Sequence, residues 1–151
     1  MYNLAYRMMN NREDAEDILQ ESFTEAFKKL KSFRYESTFG SWIKSIVINK
    51  SINQLRKKKV EFACDDFIDE SLEEEENSPD LKGDMQKVFD SIHKLPSGYR
   101  LVLTLYLLEG YDHKEIAGIL GISESTSKTQ YLRAKLRLKQ LLMEKKLTWT
   151  N

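Results

Sequence analysis

Residues 109–135 read EGYDHKEIAGILGISESTSKTQYLRAK, and this stretch decides the fold. Asp112, followed three residues on by Glu115, matches the capping box that opens a helix, and the pattern predicts a short helix over His113–Leu120. Ile116, Ala117 and Leu120 form its inner face, with Ala117 small enough for a second helix to approach closely. Gly121 suits the left-handed residue that ends such a helix, Ile122 plugs the corner, and Ser123 can cap a new helix. Helix, glycine turn and helix together make a helix-turn-helix, whose second helix enters the major groove of DNA. That second helix must keep one apolar side, and Tyr131, Ala134, Leu138 and Leu141 supply it. Ser125, Lys128, Thr129, Leu132 and Arg133 lie on the other side. Cations for guanine or phosphate, hydroxyls for phosphate or base edges, and an apolar contact for a thymine methyl are fitting chemistries there. In an ordinary surface helix of a bundle the Gly–Ile–Ser corner would be arbitrary.

Working outward, YRLVLTLYLL at 99–108 predicts a dense apolar helix at the centre of the same unit. A turn at LPSG separates it from a helix over about 84–94, with Met85, Val88, Phe89 and Ile92 directed inward. Towards the N-terminus, Asn11 can cap a helix whose first turn carries acids, and Ile18, Leu19, Phe23, Ala26, Phe27 and Leu30 make a core-facing stripe. SFRYESTFGS breaks that pattern, and Ser37 is the expected cap of a further helix with Trp42, Ile43, Ile46, Val47 and Leu55 on one side, ending in the cations Arg56–Lys59. Trp42 is expected to serve the core, although such a ring can also stack on DNA. With no strand alternation and no internal repeat, the fold class expected is all-α: two small helical domains, 1–59 and 84–146, joined by an acidic flexible linker over 60–83.

The formal net charge of zero conceals segregation. Residues 1–59 carry 12 Lys/Arg against 7 Asp/Glu, a net +5; residues 60–83 carry 1 against 10, a net −9; residues 84–151 carry 11 against 7, a net +4. Two basic blocks around an acidic one point towards nucleic acid. The acidic block itself is a solubilising spacer or an electrostatic imitation of nucleic acid. In 151 residues with 40% apolar content, no apolar run approaches the roughly 20 residues that span a bilayer, so no membrane insertion is expected. The start of the chain lacks the layout of a secretory signal. Cys64 is the sole cysteine, which rules out an internal disulfide and fits a reducing cytoplasm. His93 and His113 stand apart from any ligand cluster, so neither a metal nor another cofactor is expected. There is no nucleophile–base pair or phosphate-binding glycine loop, and no enzymatic activity is expected.

Taken together these segments resemble the extracytoplasmic-function (group IV) sigma factors of bacterial RNA polymerase, in the sigma-70 family. NNREDAEDILQESFTEAFKKLKSFRYESTFGSWIKSIVINKSINQLRK is similar to region 2 of that family, and LPSGYRLVLTLYLLEGYDHKEIAGILGISESTSKTQYLRAKLRLKQLL to region 4. The resemblance covers nearly the whole chain in the right order, across the acidic linker. It implies promoter recognition on the polymerase core. Asp14, Asp17, Gln20 and Glu21, in DAEDILQE, would dock on the β′ clamp helices, although the acids also suit a helix N-terminus. The loop FRYEST would surround a flipped base of the −10 element, with Lys29, Phe33 and Ile46 building the pocket and Asn49 reading a neighbouring base. Arg34, Glu36, Ser37, Asn53 and Arg56 complete the −10 set. Ser123, Ser125, Lys128, Thr129, Leu132 and Arg133 would bind the −35 element while region 4 rests on the β flap. The acidic linker would thread towards the RNA exit path, and an anti-sigma factor is a further expected partner.

Two departures from the family pattern stand out. The family has a further helix before the segment matching LAYRMMNN, so the resemblance implies a shortened N-terminus. Ser127 stands where the family commonly has valine, and its hydroxyl is expected to bond back to the preceding helical turn. Two other functions compete: a helix-turn-helix regulator whose first domain senses or dimerises, and a sigma-like fragment that only titrates partners. DAEDILQE and FRYESTFGSW have no purpose in a sensor, which favours the sigma factor over the first.

Overall fold

The computed structural model describes residues 1–62 and 83–147. Their regular structure is entirely helical: α1 (Tyr2–Met9), α2 (Arg12–Lys29), a 3-10 turn (Leu30–Ser32), α3 (Phe39–Phe62), α4 (Gly83–His93), α5 (Ser97–Leu103), a π turn (Thr104–Leu108), α6 (His113–Leu120) and α7 (Glu124–Leu147). Residues 60–62 end α3 and Gly83 opens α4, so the ends of the stretch read as linker belong to helices. The rest of that stretch lies outside the described residues.

Local chemistry sets the helix ends. Asn10 closes α1 in the left-handed conformation (φ 53°), which asparagine tolerates better than most residues, and its N–H donates to the Tyr6 carbonyl at 2.8 Å. The next residue, Asn11, caps α2 by accepting from the Asp14 N–H at 3.0 Å. The cap of α3 is Thr38, whose Oγ1 accepts from the Ser41 N–H at 3.2 Å. Ser37, the expected cap, lies one residue too early, and its hydroxyl turns to the Thr38 carbonyl.

Packing corrects the expected stripe of α2. The buried row is Ala15, Ile18, Ser22 and Ala26, with Leu19 half-buried beside it. Phe23 and Leu30 are exposed, and Phe27 is 75% exposed. Three of the four buried side chains are small, which lets α1 and α3 come close on that side; the larger rings of the next row stay outside. Met85 of α4 likewise points to solvent, whereas Val88 and Phe89 are half-buried and Ile92 is buried.

The apolar run at 99–108 is not one regular helix. It is α-helical to Leu103 and then widens, the Glu109 N–H reaching the Thr104 carbonyl at 3.1 Å. A π turn of this kind adds a residue per turn and often marks a functional position. Here it delivers Glu109 to the side facing the N-terminal module. Gly110 then reverses the chain at φ 78°, a conformation open to glycine.

Each basic block forms its own module, yet the two share a core. Leu4, Ala5, Met8 and Met9 of α1, Ile18 of α2 and Val47, Ile48 and Ile52 of α3 cluster with Val102, Leu105 and Ile116 of the C-terminal module. A second cluster, built on Ile92, Leu95, Leu103 and Ala134, belongs to the C-terminal module alone. Polar contacts rim the shared core. Glu109, its side chain 11% exposed, faces Lys44 at 2.9 Å and Arg7 at 3.8 Å. The Lys44 ammonium is held above its ordinary pKa, chiefly by this carboxylate. Arg7 also lies over the Phe89 ring at 5.0 Å, and the Arg56 guanidinium donates to the Leu120 carbonyl at 3.0 Å.

His93 completes the rim. Its Nδ1 donates to Asn10 Oδ1 at 2.6 Å, its carbonyl accepts from Asn10 Nδ2 at 3.2 Å, and the Tyr6 ring lies 4.7 Å away. Burial holds the His93 pKa below 6.5; the Arg100 and Arg7 cations act in the same sense, and Asp90 opposes them. A histidine with a depressed native pKa contributes stability above its unfolded pKa, and that stability is lost as pH falls through the native value. Thermal unfolding followed from about pH 7.5 to about pH 5 should therefore show a falling midpoint, and His93→Gln should flatten that slope relative to the parent chain.

Candidate nucleic-acid interface

The helix-turn-helix forms as its sequence dictates. Asp112 Oδ1 accepts from the Glu115 N–H at 2.7 Å and Glu115 Oε2 accepts from the Asp112 N–H at 2.8 Å, so both halves of the capping box are made. Gly121 adopts the left-handed conformation (φ 67°), and Ile122 donates back to the Ala117 carbonyl at 3.1 Å. Ser123 caps α7 by accepting from the Thr126 N–H at 3.1 Å, and its hydroxyl also meets those of Ser125 and Thr126. Ala134 is buried, while Tyr131, Leu138 and Leu141 are half-buried. Ser125, Lys128, Thr129, Leu132 and Arg133 all lie on the open side. Lys128 is paired with Glu124 one turn back at 3.0 Å, and Thr129 donates its hydroxyl to the Ser125 carbonyl.

Ser127 behaves differently from expectation. It is fully buried and its hydroxyl lies 2.9 Å from His113 Nδ1, so it ties α7 to the first residue of α6 instead of bonding back along its own helix. The His113 ring in turn stacks on Tyr106 at 4.5 Å and meets Tyr131 edge-on at 5.6 Å. A position facing the neighbouring helix offers the hydroxyl a partner that its own backbone need not supply.

The N-terminal module presents a second polar face. Ile46, Asn49, Asn53 and Arg56 recur at helical spacing along α3, with Ile46 half-buried and the other three exposed. Beside this row lies the 33–38 loop. Phe33 is half-buried and its ring meets Tyr35 at 4.8 Å, Trp42 at 5.0 Å and Phe39 at 5.8 Å. Trp42 packs against the shared core, the role expected of it. Arg34, Glu36 and Ser37 are exposed around the loop. Lys29 is exposed at the end of α2 and bonded to Glu25 at 2.6 Å; Glu25 also faces Lys50 at 2.9 Å. Lys29 first and Lys50 second hold the Glu25 carboxyl below its ordinary pKa.

On α2, Asp17, Gln20 and Glu21 are exposed, and Glu21 approaches Lys50 at 3.6 Å. Asp14 is half-buried and paired with Lys58 of α3, apart from the open row. Two sets of residues escaped the sequence reading. Tyr35 on the loop and Phe39 at the start of α3 are exposed rings, and their aromatic character was the available signal. Glu109 gave none, because its position depends on the π turn. Among the described residues no helix is long and apolar enough to cross a membrane.

Comparison with known proteins gives this geometry a class. Residues 1–61 match the sigma-70 region 2 family and residues 85–138 the sigma-70 region 4 family. The chain is 33% identical to the extracytoplasmic-function RNA polymerase sigma factor SigM of Bacillus subtilis, over 93% of this chain and 87% of that protein. It is 32% identical to SigW of the same organism, over 95% and 83% respectively. Among solved structures it is similar to the Bartonella quintana sigma factor RpoE in complex with the anti-sigma factor NepR: TM-score 0.67, 26% identity, 94% of this chain and 89% of that one. The chain belongs to the extracytoplasmic-function sigma factors of RNA polymerase, and its function is that of a promoter-specific sigma factor.

Removing the Ser127 hydroxyl takes away the hydrogen-bond partner of the half-buried His113 nitrogen. Ser127→Ala should lower unfolding free energy by about 1–2 kcal/mol, and the same change in a His113→Phe background should be close to neutral. Urea denaturation of the four members of this cycle measures the difference.

Proposed function

We propose that this sigma factor divides promoter recognition between its two modules and has no catalytic activity of its own, working in the cytoplasm on the polymerase core. The module over 84–146 binds the −35 duplex through Ser123, Ser125, Lys128, Thr129, Leu132 and Arg133, resting on the β flap. The module over 1–59 opens the −10 element, with Lys29, Phe33 and Ile46 around a flipped base and Asn49 at its neighbour. Arg34, Glu36, Ser37, Asn53 and Arg56 extend that surface along the strand. The open row Asp17, Gln20 and Glu21 docks on the β′ clamp helices, with Asp14 at its edge. The observation that carries the division of labour is the open hydroxyl-and-cation face of α7 beyond its capped corner, matched to the chemistry of base edges and phosphates. The anti-sigma factor bound to the Bartonella relative supports such a partner here.

Elements named −10 and −35 lie about 25 base pairs apart, about 85 Å at 3.4 Å per base pair. Arg56 of the first module lies 3.0 Å from the turn of the helix-turn-helix in the second, so both modules engage one promoter only after they part.

Lys128→Ala or Arg133→Ala should each weaken −35 duplex binding by holoenzyme by about 1–3 kcal/mol where the side chain contacts a base, read by fluorescence anisotropy. Unchanged affinity in both variants would remove α7 from the groove. Affinity should also fall steeply with added salt, since phosphate neutralisation releases counterions. Asp17→Lys should reduce capture of polymerase core in a pull-down while leaving the helical circular dichroism of the chain intact.

A further inference from the structure

The half of α7 that carries Ser125, Lys128 and Thr129 has no apolar anchor of its own. Every residue from Glu124 to Gln130 is polar, and only Ser127 among them is buried, with Thr126 and Gln130 half-buried. The large apolar side chains of the inner side begin at Tyr131. Gln130 meets α5 where Gly98 has no side chain; a Cβ there would lie 3.0 Å from the Gln130 amide oxygen. Apolar burial is non-directional, so it sets how close two helices come and leaves each free to roll about its axis. At Ser127 the contact is a hydrogen bond, which constrains distance and angle together.

The partner of Ser127 is itself held in place. His113 opens α6 directly after the capping residue Asp112. Its ring stacks on Tyr106 at 4.5 Å and meets Tyr131 edge-on at 5.6 Å. Those two rings set the direction of Nδ1, which lies 2.9 Å from Ser127 Oγ. At the far end of α6 the Ile122 N–H closes the corner on the Ala117 carbonyl. The corner holds the start of α7 and the Ser127–His113 bond holds its first turn, so the helix is pinned twice against rolling.

Base reading does not tolerate a roll. Side-chain tips lie about 5–6 Å from a helix axis, so a rotation of about 20° moves them about 2 Å. A hydrogen bond to a base edge is lost over such a shift. A lysine on its flexible stem can follow a phosphate through the same movement.

We propose that Ser127 and His113 are positioning residues for the −35 element: their bond across the helix-turn-helix fixes the roll of α7, and with it the base edges that the exposed row meets. This rests on the −35 role proposed above, to which it adds two residues that do not touch DNA.

The test uses holoenzyme and labelled duplexes, below the unfolding transition of every variant. The duplexes are the −35 sequence that the parent selects from a randomised pool, the same sequence with one base pair changed at a time, and an unrelated sequence. The parent should lose about 5–150-fold in affinity per wrong base pair at contacted positions. Ser127→Ala and His113→Phe should each cut the largest of these ratios about fivefold or more, with affinity for the unrelated duplex kept within about twofold. His113→Asn, whose amide reaches the position of Nδ1, should discriminate close to the parent. A purely structural loss would lower the active fraction and weaken every duplex by one common factor, leaving the ratios intact. A common factor in both Ser127→Ala and His113→Phe therefore overturns the proposal. Parental discrimination in both does the same, as does equal impairment of His113→Asn and His113→Phe. A parent holoenzyme that selects no sequence from the pool overturns −35 reading itself, and the positioning role with it.

Discussion

One carboxylate ties the charge patterns of the two modules together at the rim of their shared core. Glu109 is nearly withdrawn from water, and its two oxygens face Lys44 and Arg7, both supplied by the other module. A desolvated carboxylate is tolerated only with such partners, and removing Lys44, the nearer cation, leaves only Arg7 at 3.8 Å to compensate the charge. The pairing in turn depends on the π turn: a regular α-helix from Ser97 to Leu108 would rotate Glu109 away from the interface by most of a residue step. One irregular turn therefore connects an apolar helix of the C-terminal module to the charge pattern of the N-terminal one.

The same economy of charges governs the surfaces assigned to partners. Lys29 is held by Glu25, Lys128 by Glu124, Asp14 by Lys58, and Arg56 by a carbonyl of the turn. Under the proposed roles, DNA and polymerase would replace contacts that these side chains already make within the chain. The exposed i,i+4 pairs are weak and easily displaced, contributing about 0.3–0.5 kcal/mol each. The half-buried Asp14–Lys58 pair, joining α2 to α3, is the more structural of these contacts.

Much of this was legible in the sequence wherever local chemistry decides. The Asp112–Glu115 capping box, Gly121, Ser123 and Asn11 act on backbone within three or four residues, and each does what its type predicts. The open face of α7 was equally readable, because Tyr131, Ala134, Leu138 and Leu141 recur at helical spacing and mark the inner side, although Leu132 and Leu136 are exposed. The failures come from tertiary context. On α2 the buried row is mostly alanine and serine, so a search for large apolar side chains selects Phe23, Phe27 and Leu30, which remain outside. Met85 misled in the same way. Thr38 and Ser37 are adjacent hydroxyls, and only the path of the loop decides between them. Ser127 found its partner fourteen residues away in another helix, a contact invisible to helical periodicity. The contact between the modules had no sequence signature, since each block already carries an apolar stripe that could serve a core of its own.

The shared core has a consequence for the life of the chain in a cell. Met8, Val47, Val102, Leu105 and Ile116 are buried in a core that both modules build, so parting the modules uncovers part of it. An opened chain away from its enzyme would present a wet apolar face, the kind of surface that promotes aggregation and invites proteases. Factor released after initiation has two ways to shelter that face: folding back on itself or finding a new partner.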